Sequence, residues 1–235
     1  MVLPRHTRHQ FLEGVGTFGI EAQLKARITI VGCGGLGQPV AAALGAAGVG
    51  HLTLIDPDCV QESNLGRLPY MSAQDVGQFK VDAMKAFILR NNPLQQVHRL
   101  TNSFSPSLAH ELLSHTDIVV DATDNWPTRK ALGQACRDLN VPLVSGGALA
   151  TDGWVGVFMP DEAPLDAWLN QPSQMADTCD RVGVASPLVG MIGNLMAMEV
   201  LKLIWKRHHP EKWNVMSGQV MFMDARWGEI VTTQL

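Results

Sequence analysis

Between Ile28 and Ile55 the 235-residue chain has no Asp, Glu, Lys or Arg. Length alone would admit this stretch as a membrane span, but its internal order argues for a buried core. It contains seven glycines together with Gln38, Pro39 and His51. The run Arg27-Ile-Thr-Ile-Val-Gly32 is rich in β-branched residues and ends in glycines, Val40 to Ala47 supplies good helix formers, and His51-Leu-Thr-Leu-Ile-Asp56 is a second apolar run. Strand, tight turn, helix and strand in such a short span form a βαβ unit, which requires a parallel sheet covered by helices. A second uncharged stretch, Val182 to Met198, adds to the shortage of charge, which stands at 17% where about 25% is usual for soluble domains. The net charge of −4 excludes a polybasic nucleic-acid binder and a disordered acidic chain.

The alternation continues with a helix near Gln78 to Asn91, a strand near Val97 to Thr101 and a helix opened by Ser105-Pro106. A buried strand over Asp117 to Asp121, a helix over Thr128 to Leu139 and a strand over Pro142 to Ser145 follow. This pattern predicts a doubly wound, Rossmann-like α/β fold with a mostly parallel sheet. After Gly147 it changes: a strand over Gly153 to Met159, a long polar loop over Asp161 to Arg181, an apolar helix over Leu188 to Trp205, and an antiparallel hairpin over Val215 to Thr233. The helix is apolar on too many sides to face water, so it belongs in the core or at a subunit interface. The four cysteines lie at least 26 residues apart and the N-terminus lacks an apolar signal segment. A reduced, cytoplasmic protein that neither spans a membrane nor binds nucleic acid is expected.

Gly32-Cys33-Gly34-Gly35-Leu36-Gly37 satisfies G-x-G-x-x-G directly after a strand and before a helix. Such glycines let the backbone turn tightly and approach a phosphate, whose charge the helix N-terminus meets. Asp56 closes the second strand 19 residues after Gly37, where a carboxylate can accept both ribose hydroxyls. A glycine turn serving only to pack a helix would leave Asp56 unexplained. An ATP site needs cations for its outer phosphates, and the sequence offers Ser63-Asn64-Leu65-Gly66-Arg67, Gly77-Gln78-Phe79-Lys80 and Asp121-Ala-Thr-Asp124-Asn125. Taken singly, Lys80 reads as a solvated helix residue and Arg67 as a surface turn residue; their joint placement favours the site. Asp58 reads as a strand terminator and Asp121 as structural.

These motifs, with Ala47-Gly-Val-Gly50 and Gly183 to Gly193 in the same order, resemble the ThiF/MoeB/HesA family, bacterial relatives of ubiquitin-activating enzymes. The resemblance spans nearly the whole chain. It implies a single adenylation domain: an N-terminal arm and helix over 1–26, a nucleotide-binding half over 27–147, and a carrier-binding and dimerisation half over 148–235. It implies a homodimer that uses ATP and Mg2+ to adenylate the C-terminal carboxylate of a ubiquitin-like sulfur carrier ending in Gly-Gly. Carried over by position, Gly32, Gly34, Gly35 and Gly37 would hold the nucleotide, Asp56 the ribose, and Ser63, Asn64, Arg67, Lys80 and Asn125 the rest of ATP. Asp124 would hold the magnesium ion, and Arg8 would reach into the partner subunit's site. No general base is required, because a carboxylate is already ionised at neutral pH.

Cys179 lies where relatives often carry a cysteine, which in some of them acts as a nucleophile toward the carrier or a sulfur donor; it is kept as a candidate beside the reading of an inherited loop residue. The two CxxC pairs that hold zinc in many relatives are absent from the sequence, so no zinc is expected, and Leu165 and Trp168 are expected to supply apolar packing there. Cys136 is expected in the core beside Leu132, and His208-His209 at a helix cap. Lys202, Lys206 and Arg207 are read either as attracting an acidic carrier or as complementing a helix C-terminus. Adenylation of another carboxylate, in a peptide or a modified tRNA nucleoside, and a non-catalytic nucleotide-binding scaffold remain as alternatives, with NAD-dependent chemistry behind them.

Overall fold

The computed structural model describes residues 4–162, 165, 168 and 182–234. Its strands are β1 (Arg27–Val31), β2 (His51–Ile55), β3 (Gln96–Leu100), β4 (Ile118–Asp121), β5 (Leu143–Leu149), β6 (Asp152–Phe158), β7 (Gln219–Asp224) and β8 (Glu229–Gln234). The helices are α1 (Thr7–Gln10), α2 (Gly16–Lys25), α3 (Gly37–Ala47), α4 (Lys80–Asn91), α5 (Pro106–Leu113), α6 (Trp126–Asp138) and α7 (Ser186–Lys206). One sheet runs in the order β3-β2-β1-β4-β5-β6-β7-β8. Strands β1 to β5 are parallel, and β5 to β8 are antiparallel. The doubly wound expectation and the C-terminal antiparallel strands are both present.

The central strands read as continuous apolar runs because helices cover both of their faces. Ile28 and Ile30 of β1 join Leu44 of α3, Met84 and Ile88 of α4 and Ile192 and Val200 of α7 in one core. Val31, one residue on, faces the other core with Leu113 of α5, Leu132 and Cys136 of α6 and Phe158 of β6. Helix α7 settles the choice left by its composition. Among the described residues it is the one helix long and apolar enough to cross a membrane, yet 61% of its most apolar window is buried inside the domain. It packs on α3, β5 and β6. Even its acid is accommodated, since buried Glu199 pairs with Lys202 and accepts a hydrogen bond from the Met216 amide at 3.1 Å.

Several local expectations need adjustment. Strand β5 continues past Ser145 to Leu149 because β6 supplies a ladder partner for each residue, Gly146 opposite Val155 and Gly147 opposite Trp154. The span read as an unbroken polar loop over 161–181 contains helical backbone at Leu165 and Trp168. Leu165 is buried against α6 near Gly133, and the Trp168 ring packs on Trp154 at 4.7 Å and Phe158 at 5.9 Å. Cys179 lies outside the described residues. The amides of His208 and His209 both donate to the Trp205 carbonyl, closing α7, while the His208 ring stacks on Phe18. Lys202 donates to the Asn214 carbonyl at 2.8 Å and Arg207 meets Asp117 at 3.4 Å, so both are engaged within the chain.

Ala150, in the tight turn between β5 and β6, has φ of 50°, in the left-handed region. It donates to the Gly183 carbonyl and accepts from the Ala185 amide, both at 2.9 Å, tying the hairpin to the approach of α7. Replacing it by glycine removes the Cβ penalty while adding some chain entropy to the unfolded state. Ala150→Gly is expected to stabilise the fold by about 0.5–1 kcal/mol, read as a higher denaturant midpoint at unchanged slope.

Candidate functional site

The site begins where β1 gives way to α3. Gly32 has φ of 96°, and a Cβ there would lie 2.6 Å from the Ala122 carbonyl oxygen. A Cβ on Gly37 would lie 1.8 Å from the Gly32 carbonyl oxygen. Only side-chain-free backbone can turn this tightly, and α3 therefore starts directly over the carboxyl end of β1. No side chain caps α3 among the described residues; the Gln38 amide donates to the Gly34 carbonyl and Pro39 has no N–H, so the helix start offers a ligand chiefly the positive end of its dipole. Beside it lies a cavity of about 410 Å³ lined by Gly32, Gly34 and Gly35. It lies outside the carboxyl ends of β1 and β4, between which the strand order reverses, the place where open α/β sheets bind ligands.

Asp56, just past β2, is buried and turned toward the glycine turn. Its carboxylate accepts from the Cys33 amide at 2.6 Å and from the Asp58 amide at 2.8 Å. Burial nonetheless raises its pKa above the ordinary aspartate value, against the pull of Lys80 and these two amides. The sign follows: the neutral acid is the form the fold favours, so its stabilising contribution is complete below the unfolded pKa and is lost as pH rises through the folded one. Ionised Asp56 at neutral pH is held at a cost to stability.

Lys80 is delivered by a short antiparallel ladder. Val60 donates to Gln78, Gly77 donates back to Val60, and the Lys80 amide donates to the Asp58 carbonyl at 2.9 Å. The Lys80 side chain is 12% exposed, and its ammonium meets the Asp58 carboxylate at 2.7 Å. Asp58 is therefore more than a strand terminator; it is the counterion of Lys80. Asn64 is buried in the turn Glu62–Asn64, where its Oδ1 accepts from the Gln61 amide, and half-buried Arg67 follows. Both line the cavity. On the opposite rim, Asp124 is exposed and Asn125 caps α6 by accepting from the Thr128 amide at 3.0 Å.

The fold thus brings Gly32, Gly34, Gly35, Asp56, Asn64, Arg67, Lys80, Asp124 and Asn125 to one cavity. Gly37 packs beneath it, and Ser63 is exposed and does not line it. Arg8 is exposed on α1, in a segment anchored at the far ends of α3 and α4: the His6 ring packs on Gly48, and Arg5 donates to the Asn91 carbonyl. With α3 about 16 Å long at 1.5 Å per residue, Arg8 does not line the cavity of its own chain. Among the described residues no group of three or more His, Cys, Asp or Glu gathers as a metal cage. Burial raises the thiol pKa values of Cys33 and Cys136, as expected of core residues.

Sequence reasoning missed the buried Arg129. Its guanidinium meets Asp121 at 2.7 Å, donates to the carbonyls of Thr123 at 2.5 Å and Gly146 at 2.8 Å, and lies over the rings of Trp126 and Trp154. Asp121, fully buried, also accepts from Ser145 Oγ and from both the amide and hydroxyl of Thr123. The available signal was a charged residue in the helix beginning beside Asp124. Arg129→Met would leave the Asp121 charge buried without its partner and is expected to cost about 3–5 kcal/mol, seen as a lowered melting temperature that Arg129→Met combined with Asp121→Asn partly restores.

A glycine turn, a buried acid and flanking cations gathered at a strand-order reversal mark a Rossmann-like α/β domain with a polar cavity at its switch point. The chain belongs to the ThiF family, whose model matches residues 6–230. It is 37% identical over 223 residues to the molybdopterin-synthase adenylyltransferase of Escherichia coli, covering 94% of this chain and 88% of the relative. It is 34% identical to the SAMP-activating enzyme E1 of Haloferax volcanii, covering 95% and 82%. Among solved structures, E. coli MccB crystallised with ATP aligns with a TM-score of 0.82 at 21% identity, over 99% of this chain and 72% of that one. A structure of PaaA aligns at 0.80 and 22% identity, over 98% and 72%. The sequence resemblance and the expected fold class are thereby borne out.

Proposed function

We propose that the chain is an ATP-dependent adenylyltransferase that activates the C-terminal carboxylate of a ubiquitin-like sulfur carrier ending in Gly-Gly. The observation that carries this reading is the convergence of Asp56, Asn64, Arg67, Lys80 and Asp124, from separate segments, on one cavity headed by the uncapped end of α3. The names of the bacterial and archaeal relatives, an adenylyltransferase and an activating enzyme, support it.

In this reading the glycine turn and the positive end of α3 receive phosphate, Asp56 accepts the ribose hydroxyls, and Arg67 and Lys80 carry the outer phosphates. The carrier's carboxylate oxygen attacks the α-phosphorus while the bond to pyrophosphate breaks. Two anions approach, so the cations act by alignment and charge stabilisation, with no proton to remove. Asp124 is an exposed carboxylate on the rim opposite the Lys80–Asp58 pair, which fits a magnesium ion that arrives with ATP, since this ion takes one or two carboxylates together with phosphates and water. Asp124 would hold it, and when bound it would neutralise phosphate charge. Arg8, remote from its own cavity, would complete the site of a second copy in a homodimer working in the cytoplasm.

ATP–pyrophosphate exchange should require a carrier with a Gly-Gly terminus, and Lys80→Ala or Asp124→Ala should each lower it about 10²–10³-fold. Exchange untouched by both substitutions would sink the assignment. Mixing Arg8→Ala with Lys80→Ala protein should recover part of the activity, because one site in a mixed dimer is then intact. Exchange should also fall on acidification, as Asp56 takes up a proton at a pH above that of an exposed aspartate, and it should fall less in proportion for Asp56→Asn, whose activity is already low.

A further inference from the structure

We propose that Arg129 is a positioning residue that sets the place of Asp124 for the metal–ATP complex; this rests on the reading of Asp124 as the magnesium-holding carboxylate. The guanidinium donates to the carbonyl of Thr123, which belongs to the peptide unit that joins Thr123 to Asp124. Asp121 takes the amide of Thr123 at 3.0 Å and its hydroxyl at 2.6 Å. Thr123 is therefore fixed at its N–H, its side chain and its C=O by one buried ion pair. On the other side, Asn125 is fixed by its hydrogen bond to the first turn of α6. Asp124, exposed between two pinned neighbours, is left one soft element, its own side chain.

The planar fork of Arg129 suits this task better than a lysine would. It reaches Asp121 at the end of β4, the Gly146 carbonyl of β5 and the Thr123 carbonyl of the loop at once, and the rings of Trp126 and Trp154 hold its plane. Asp121 and Ser145 face each other across the parallel β4–β5 ladder, so the loop takes its position from the two strands beneath it. A lysine could neutralise Asp121 but could not hold three such directions in one plane.

The test is calorimetric titration of ATP into the protein in EDTA and at increasing Mg2+, for the wild type, Asp124→Asn, Arg129→Lys and Thr123→Val. Mg2+ should strengthen ATP binding to the wild type and fail to do so for Asp124→Asn. Arg129→Lys should keep metal-free ATP affinity within about twofold while its half-maximal Mg2+ requirement rises about tenfold or more, the effect usual for partners that orient a metal ligand. Thr123→Val, which removes one bond to Asp121 and leaves every charge in place, should shift the same way by less, and it decides the matter if Arg129→Lys does not fold. A wild-type Mg2+ response in these variants would overturn the proposal, as would equal weakening with and without metal, the signature of a merely structural role. A wild type whose ATP affinity ignores Mg2+ would instead overturn the metal assignment, and this proposal with it.

Discussion

The contact between Gly37 and the carbonyl of Gly32 decides where the rest of the site can be. With no Cβ in the way, the start of α3 settles onto the turn that leaves β1, which sets the positive end of the helix at the carboxyl edge of the sheet. Any larger residue would push the helix outward by more than an ångström, and its positive end would move away from Asp56. The acid reinforces the same geometry, since its carboxylate holds the Cys33 amide inside the turn. Backbone and side chain thus fix one another, and the burial that raises the Asp56 pKa is the consequence.

The two rims of the cavity are built on different physics. On one, the ladder between Val60 and Gln78 presents Lys80 beside an exposed partner, Asp58. Such a pair contributes little to stability and leaves the ammonium free to exchange partners. On the other rim, Arg129 and Asp121 are both buried, and their cost of desolvation is offset only by a complete set of hydrogen bonds. A pair of that kind is rigid because losing any one partner is expensive.

Much of this was legible in the sequence. The βαβ unit announced itself through glycines between two β-branched runs, and the absence of charge from Ile28 to Ile55 matched strands and a helix that are buried almost throughout. Asp56, Arg67, Lys80 and Asp124 could be named because each sits at a strand end or helix start, places where spacing along the chain translates directly into position. The boundaries that slipped have local causes. Helix α6 begins at Trp126, earlier than its apolar periodicity, because Asn125 caps it and Pro127 tolerates the first turn. Arg129 escaped because a charge on the buried face of a helix contradicts amphipathic patterning, and what reconciles it lies in β4 and in Gly146 of β5, contacts that no spacing rule reveals. Asp58 escaped for a related reason: its partner lies 22 residues away across a ladder only the fold creates.

The Lys80–Asp58 pair also gives the cavity the character of a small ion exchanger. An anion that takes Lys80 must release a carboxylate to water, so entry is a swap of one negative charge for another on the same cation. Dissolved salt screens the outgoing pair and the incoming one alike. The hold on an anion at Lys80 would therefore be less sensitive to ionic strength than for a bare lysine, and Asp58 keeps that ammonium from standing as an open invitation to every passing phosphate.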